Sequence, residues 1–131
     1  MSNRLGIALF TAAALLLLAP GQRAAAQGAG PVVVAVELEI VPAELENFKA
    51  AIKENGAACV REEAGCRMFN IAFSKDDPNR VLLFEVYENA EAVTAHQSAP
   101  AFKKYQATVA NMVKSRKRTE MVPLALNSKG H

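Results

Sequence analysis

Three stretches of the chain carry the hydrophobic pattern of β-strands. Residues 34–40 alternate apolar side chains with small or acidic ones, a period of two. Residues 66–73 alternate in the same way, with large apolar side chains on one face. Residues 80–87, RVLLFEVY, are apolar on both faces for most of their length, which is typical of a central strand. Because the turn-forming SKDDPN separates the last two, we expect them to form an antiparallel hairpin.

Helical periodicity follows the first and third strands. Residues 43–65 predict a helix whose apolar stripe consists of Leu45, Phe48, Ile52 and Cys59. Asn89 is a good N-cap for a short helix through Gln97, and Ser98 can cap a longer one with Pro100 in its first turn. The stripe of that longer helix consists of Phe102, Tyr105, Val109 and Met112.

The order of these elements indicates the fold class. Residues 119–126, TEMVPLAL, are predicted as a last strand, which Pro123 places at an edge or at a bulge. The order β-α-β-β-α-β is typical of a ferredoxin-like α+β domain with helices on one face of an antiparallel sheet. The second face would carry Val33, Ala35, Leu82, Phe84 and Val86. A symmetric partner would bury these apolar side chains, so we expect a homodimer.

The N-terminus has the pattern of a secretory signal. Arg4 precedes a short apolar run, and Ala24 and Ala26 are the small residues that signal peptidase accepts. We therefore divide the chain into a signal at 1–26 and one domain at 27–131, and expect a periplasmic or secreted protein. An uncleaved membrane anchor is the alternative, although the run is short for a bilayer.

Charge argues against a nucleic-acid partner. The chain has 15 basic and 13 acidic side chains, and Arg4 and Arg23 would leave with the signal, so that the mature net charge is zero. The one basic cluster, KSRKR at 114–118, has no interleaved aromatic residues. We interpret it as the solvated C-terminal end of the long helix, where cations are favourable.

The two cysteines, Cys59 and Cys66, leave two interpretations open. Export permits a disulfide, and the six residues between them can form a turn. Two unpaired buried thiols are the favoured alternative. No metal site is expected, because two cysteines and one distant histidine provide too few ligands.

Residues 63–105 carry a further set of motifs. E-x-G-C begins at Glu63, DPN stands at 77–79, and E-V-Y at 85–87 is followed by AHQSAPAF at 95–102. With these motifs the chain resembles the antibiotic biosynthesis monooxygenase family, in its small quinol-monooxygenase-like branch. The resemblance implies a dimeric α+β barrel with a small pocket in each subunit. It also implies oxygenation of quinols or phenolic compounds without a metal or flavin cofactor.

Three positions depart from particular relatives. Haem-degrading members of this fold use a tryptophan at the end of the third strand and a histidine on the long helix. Here Tyr87 and Gln106 stand at those positions, and the chain has no tryptophan, so haem degradation is not expected. Near relatives often carry a second histidine after the proline, where this chain has Ala101, which argues against a two-histidine mechanism.

His96 is the candidate catalytic residue. It follows Ala92 and Val93 by four and three residues, so its ring projects on the same side as these small apolar side chains. An imidazole there can accept a proton from a quinol hydroxyl near neutral pH. The alternative is a structural histidine that bonds a backbone carbonyl at the junction of the two helices.

Six further residues are candidates for substrate binding: Phe69, Phe73, Tyr87, Tyr105, Glu85 and Asn70. The aromatic rings suit a planar substrate but are also ordinary core material. Tyr105 can bond a substrate oxygen or reach water. Glu85 either lines the pocket, where burial would raise its pKa, or pairs with a cation such as Arg67. Asn70 faces opposite to Phe69. It therefore points either into the dimer barrel, as its face of the strand indicates, or into the pocket.

These observations favour a cofactor-independent monooxygenase in which His96 activates a quinol or related phenol for direct reaction with dioxygen. Two alternatives stay open, since one fold hosts several activities. One is a non-catalytic dimeric module that binds a small hydrophobic ligand. The other is an isomerase of a small carbonyl compound, which would need a more polar pocket.

Overall fold

The computed structural model describes residues 30–129, so the predicted signal at 1–26 lies outside the described residues. The elements, in chain order, are β1 (Val32–Ile40), a 3₁₀ turn (Pro42–Glu44), α1 (Leu45–Glu62), β2 (Cys66–Phe73), β3 (Arg80–Tyr87), α2 (Ala90–Ser98), α3 (Pro100–Val109) and β4 (Val113–Met121). None of the helices in the described part is long and apolar enough to cross a membrane.

The four strands form one antiparallel sheet in the order β2-β3-β1-β4. The register places Glu85 of β3 between Val34 of β1 and Phe69 of β2, so these three side chains share a face. The three helices cover that face, where the buried cluster includes Phe48 of α1, Val93 of α2 and Val109 of α3. This arrangement is the predicted ferredoxin-like α+β fold.

The strongest local signals predicted the element bounds closely. β2 and β3 occupy the expected 66–73 and 80–87. The Asn89 side chain accepts a hydrogen bond of 2.9 Å from the Ala92 N–H and so caps α2 as predicted. Ser98 does not cap α3, because it is the last residue of α2 and its hydroxyl donates to the Thr94 carbonyl.

The last strand was misplaced in the prediction. The predicted long helix ends at Val109, before Met112, and β4 occupies Val113–Met121 rather than 119–126. The basic cluster therefore lies in an edge strand and not at a helix end. Lys114 pairs with Glu39 and Lys117 with Glu37 of the neighbouring β1, at 3.4 and 3.5 Å. Backbone pairing and cross-strand charges hold this strand, which has no apolar stripe to reveal it.

The interpretation of Cys59 and Cys66 as unpaired thiols was also wrong. The two form a disulfide with Cα atoms 5.9 Å apart, a separation that the bridge readily spans. Both residues are buried, and the bond ties the end of α1 to the start of β2. The intervening chain therefore forms a short, covalently closed turn.

Candidate active site

Two adjoining cavities lie between the sheet and α3. The inner cavity has a volume of about 190 Å³, and its wall includes Asn55, Phe69, Leu83, Glu85, His96, Phe102, Tyr105 and Val109. The outer cavity, of about 320 Å³, is bordered by Tyr87, Val93, Gln97 and Arg118. The wall common to both consists of Val36, Glu85, His96, Phe102, Gln106 and Arg116. His96 and Glu85 thus stand where the two spaces meet.

His96 belongs to the last turn of α2, and only 5% of its side chain is exposed. Its Nδ1 lies 2.9 and 3.1 Å from the two carboxylate oxygens of Glu63. A carboxylate only accepts hydrogen bonds, so Nδ1 carries the proton. In the neutral ring Nε2 then has a free lone pair, which is the state a general base requires. The partner of His96 is accordingly a carboxylate and not the backbone carbonyl of the structural alternative.

Glu63 follows α1 directly as its C-cap, with extended backbone. Its N–H donates to the Cys59 carbonyl at 3.1 Å, and its carboxylate lies 3.6 Å from the Cys59 sulfur. The disulfide to Cys66 anchors the turn that carries this carboxylate. Glu63 was not singled out from the sequence as a site residue, although it opens the E-x-G-C motif that carried the resemblance.

Three aromatic rings surround the imidazole of His96. The ring centroids of Phe102, Tyr87 and Phe69 lie 4.6, 5.5 and 6.1 Å from that of His96. These contacts fix the plane of the imidazole and exclude water from its faces. The imidazole is therefore held between aromatic rings and the Glu63 carboxylate in the wall of the two cavities.

A second buried carboxyl faces the same cavities. Glu85 accepts a hydrogen bond of 2.7 Å from the Tyr87 hydroxyl. Burial raises the pKa of Glu85, and burial together with that carboxylate raises the pKa of Tyr87. Arg67 pairs with Glu88 at 2.9 Å instead, so the expected alternative of a Glu85–Arg67 ion pair is wrong. Glu85 faces the helices, whereas Arg67 is exposed to solvent.

Tyr105 of α3 borders the inner cavity with its ring partly buried. Burial raises the pKa of Tyr105 to about 12, with Arg116 opposing and Glu85 reinforcing the shift. The phenol is therefore neutral at physiological pH and can both donate and accept a hydrogen bond.

The structure brings most of the predicted site residues together, but not Phe73 or Asn70. Phe73 shares the helix-covered face but lies at the far end of β2, where the Lys49 ammonium stands 5.5 Å from its ring centroid. Asn70 is exposed on the opposite face of the sheet. Neither residue lines the inner or the outer cavity. Period-two alternation assigns a face but not a position along the strand.

Within residues 30–129, one group of three potential metal ligands lies close together: Cys59, Glu63 and His96, with ligand atoms within 4.8 Å of one another. The disulfide engages the Cys59 sulfur, so that no thiolate is available there. Glu63 and His96 alone supply fewer protein ligands than the three of a typical catalytic zinc site. The arrangement fits a proton-transfer pair better than a metal centre.

Comparisons with known proteins agree on one family. The family model described as antibiotic biosynthesis monooxygenase matches residues 31–108. A solved structure of a proposed antibiotic biosynthesis monooxygenase from Bacteroides thetaiotaomicron is 28% identical, covers 78% of this chain and 97% of its own, and superposes with a TM-score of 0.73. One from Nitrosomonas europaea is 30% identical, with coverages of 75% and 93% and a TM-score of 0.70. No curated protein matches the chain.

Proposed function

Because this chain belongs to the antibiotic biosynthesis monooxygenase family, we propose that it is a cofactor-independent monooxygenase of quinols or related phenols. The family and its solved neighbours support a monooxygenase-type function in general. The substrate class and the mechanism are our inference from the cavities and from the side chains around them.

The observation that carries this proposal is His96 in the wall of the inner cavity, with its Nδ1 paired to the Glu63 carboxylate behind it. At about 190 Å³, that cavity is larger than the roughly 150 Å³ that admits benzene, so one substituted ring fits, and the adjoining outer cavity of about 320 Å³ leaves room for a second fused ring. Glu63 orients the imidazole and stabilises the cation that forms when Nε2 accepts a proton. A substrate hydroxyl beside Nε2 would lose its proton to His96.

The reaction then needs no electron source other than the substrate. The phenolate transfers an electron to dioxygen, and the resulting radical pair combines to form a carbon–oxygen bond. Cleavage of the oxygen–oxygen bond leaves one oxygen atom in the product and releases the other as water, with two hydrogens from the substrate. The substrate supplies all four electrons, and the protein supplies a base, orientation and exclusion of water.

The test is oxygen uptake by the purified protein with a panel of benzene- and naphthalene-diols. We expect saturable uptake above autoxidation, reduced by about 10²- to 10⁴-fold in His96→Ala, as for loss of a general base. The control is Glu91→Ala, which alters an exposed residue on the same helix. Unchanged turnover in His96→Ala would show that His96 is not the base. Ligand binding without uptake in the wild type would favour the non-catalytic binding module.

A further inference from the structure

Asn55 is a polar residue where the fold calls for an apolar one. It follows Phe48 and Ile52 and precedes Cys59 on the buried stripe of α1, at the helical spacing that faces the core. Only 2% of the residue is exposed. Among residues 30–129, neither its amide nitrogen nor its amide oxygen has a hydrogen-bond partner. An amide buried in this way lowers stability, so its presence requires an explanation.

The backbone at Asn55 has little freedom to move the amide elsewhere. A Cβ atom added to the next residue, Gly56, would stand 2.8 Å from Cδ1 of Phe69. The absence of a side chain at Gly56 therefore lets α1 approach β2 closely at this point. α1 therefore packs closely on the sheet there, and Asn55 belongs to the wall of the inner cavity with its amide buried.

Asn55 borders two hollows. Asn55 and Tyr105 border the inner cavity on one side. On the other side they border a hollow of about 350 Å³ between α1 and α3, here called the interhelical groove, whose wall also includes Ala51, Lys104, Thr108 and Met112. Asn55 and Tyr105 are the two residues that the walls of the inner cavity and of the groove have in common.

We propose that Asn55, with Tyr105 beside it, binds a second oxygen substituent of the ligand, separate from the hydroxyl that His96 deprotonates. This inference rests on the proposed function and narrows its substrate class to rings with two oxygen functions. A hydroxyl suits the site, because it can accept from the amide nitrogen and donate to the amide oxygen at once. A carboxylate or an ether would leave the amide oxygen unpaired.

The test compares three ligands by isothermal titration calorimetry without oxygen, so that turnover does not intervene: 1,4-dihydroxynaphthalene, its monomethyl ether and 1-naphthol. We expect the wild type to bind the diol about tenfold more tightly than 1-naphthol, as one to two neutral hydrogen bonds provide. Because the diol has two equivalent hydroxyl groups, it can bind in two orientations, and this statistical effect alone would make its binding only twofold tighter. The ether should bind more weakly than the diol, because it has no hydrogen to donate to Asn55.

The variant Asn55→Leu has the same number of side-chain heavy atoms and the same branching but no polar atom, and should bind the diol and 1-naphthol within twofold of each other. Asn111→Leu is the control, since Asn111 is exposed and borders neither the inner cavity nor the groove. Should Asn55→Leu fail to fold, Asn55→Ala serves the same comparison. The wild-type measurement stands independently of both variants.

Two results would overturn the proposal: a wild type with no preference for the diol, including one that binds none of the three, or an Asn55→Leu variant that keeps the full preference. Oxygen uptake separates this failure from failure of the proposed function. A preference that depends on Asn55 in a protein without uptake would support the binding subsite and reject the monooxygenase. Oxygen uptake by a protein that shows no preference for the diol would support the monooxygenase and reject the binding subsite.

Discussion

His96 meets one carboxylate and three aromatic rings, and these contacts determine what its imidazole can do. The carboxylate of Glu63 fixes the proton on Nδ1, and the rings restrict rotation. Only 15% of the Glu63 side chain is exposed. Burying a carboxylate costs free energy, and a histidine that served packing alone would not need this partner. The pairing is the arrangement that the proposed proton transfer at Nε2 requires.

Glu63→Gln tests this role of the carboxylate. We expect kcat to fall about 10- to 100-fold with little change in KM, because the amide neither fixes the tautomer nor stabilises the imidazolium. Glu63→Asp should recover part of the activity, since it restores the charge. The neighbouring exposed Glu62→Gln is the control. A Glu63→Gln variant that changed only KM would contradict the assignment of Glu63 as a positioning residue.

Glu85 gives the molecule a defined dependence of stability on pH. Burial raises its pKa above the ordinary value of 4.5, so the folded state keeps the proton to a higher pH than the unfolded chain. Below pH 4.5 Glu85 is protonated in both the folded and the unfolded state, and its contribution to the unfolding free energy is fully present. It is lost as the pH rises through the folded pKa, because the native state must then ionise a buried carboxyl.

Glu85→Gln should remove this dependence while the amide oxygen still accepts from the Tyr87 hydroxyl. We expect the unfolding free energy of the variant, relative to wild type, to increase from pH 4.5 upward and to level off above the folded pKa. The slope is at most about 1.4 kcal/mol per pH unit. Urea unfolding across the pH range measures it, with the exposed Glu91→Gln as control. A difference that stayed constant with pH would refute the argument.

Among the elements, α1 and β2 form a unit closed by the Cys59–Cys66 disulfide. The bridge joins residues seven positions apart, and the turn between them carries Glu63. It therefore restricts the unfolded chain and also holds the carboxylate against His96. Stability and activity should depend on it together.

Replacing Cys59 and Cys66 by alanine should lower the unfolding free energy by about 2–3 kcal/mol, the entropy of closing a loop of this length. It should also reduce kcat, because the turn around Glu63 loosens. A thiol reductant should destabilise the wild type but leave the double variant unchanged, which provides the control. Equal stability of the wild type with and without reductant would disprove the structural role of the bond.

At the scale of the whole molecule, the proposed homodimer would use the sheet face away from the helices. Val33 and Val86 of this face are already buried within one chain, whereas Leu82 is 42% exposed, and the segment after β4 exposes Val122 and Leu124, at 84% and 103%. Exposed apolar side chains favour association. A second copy of the chain, related by twofold symmetry, is the simplest partner.

We therefore expect a homodimer by light scattering coupled to size-exclusion chromatography. Leu82→Glu should shift the protein toward the monomer, because it places a charge in the proposed contact. Ala107→Glu, on the exposed side of α3, makes the same kind of change on the helical layer and should leave the dimer intact. A wild type that is monomeric at micromolar concentration would exclude this arrangement.

Export is a further prediction for the whole chain. Cleavage after Ala26 would leave a mature protein that begins at Gln27. Intact mass of the protein recovered from the periplasm or medium of an expressing bacterium measures this directly. Ala26→Arg should abolish processing, whereas Ser2→Ala should not. An unprocessed wild type found in the membrane fraction would instead support the anchor.

The sequence by itself determined the elements whose signals are local. Period-two alternation gave the bounds of β2, a run apolar on both faces gave those of β3, and one side chain, Asn89, marked the start of α2. The same patterns were sufficient for the fold class, because few topologies satisfy that order of elements. His96 was chosen as the candidate base with the help of the family resemblance, since one histidine has no periodicity.

Only the tertiary structure decided the features that join distant segments. β4 is an edge strand held by backbone pairing and cross-strand charges, and such a strand has no apolar stripe to read. Glu63 and His96 are 33 positions apart and meet because the end of α1 lies beside α2. Asn55 is one polar residue in an apolar helix stripe, and its significance depends on the cavity that other elements complete. Sequence periodicity assigns a residue to one face of its own helix or strand. A functional site also depends on which helices and strands pack against each other, and that is decided by the tertiary structure.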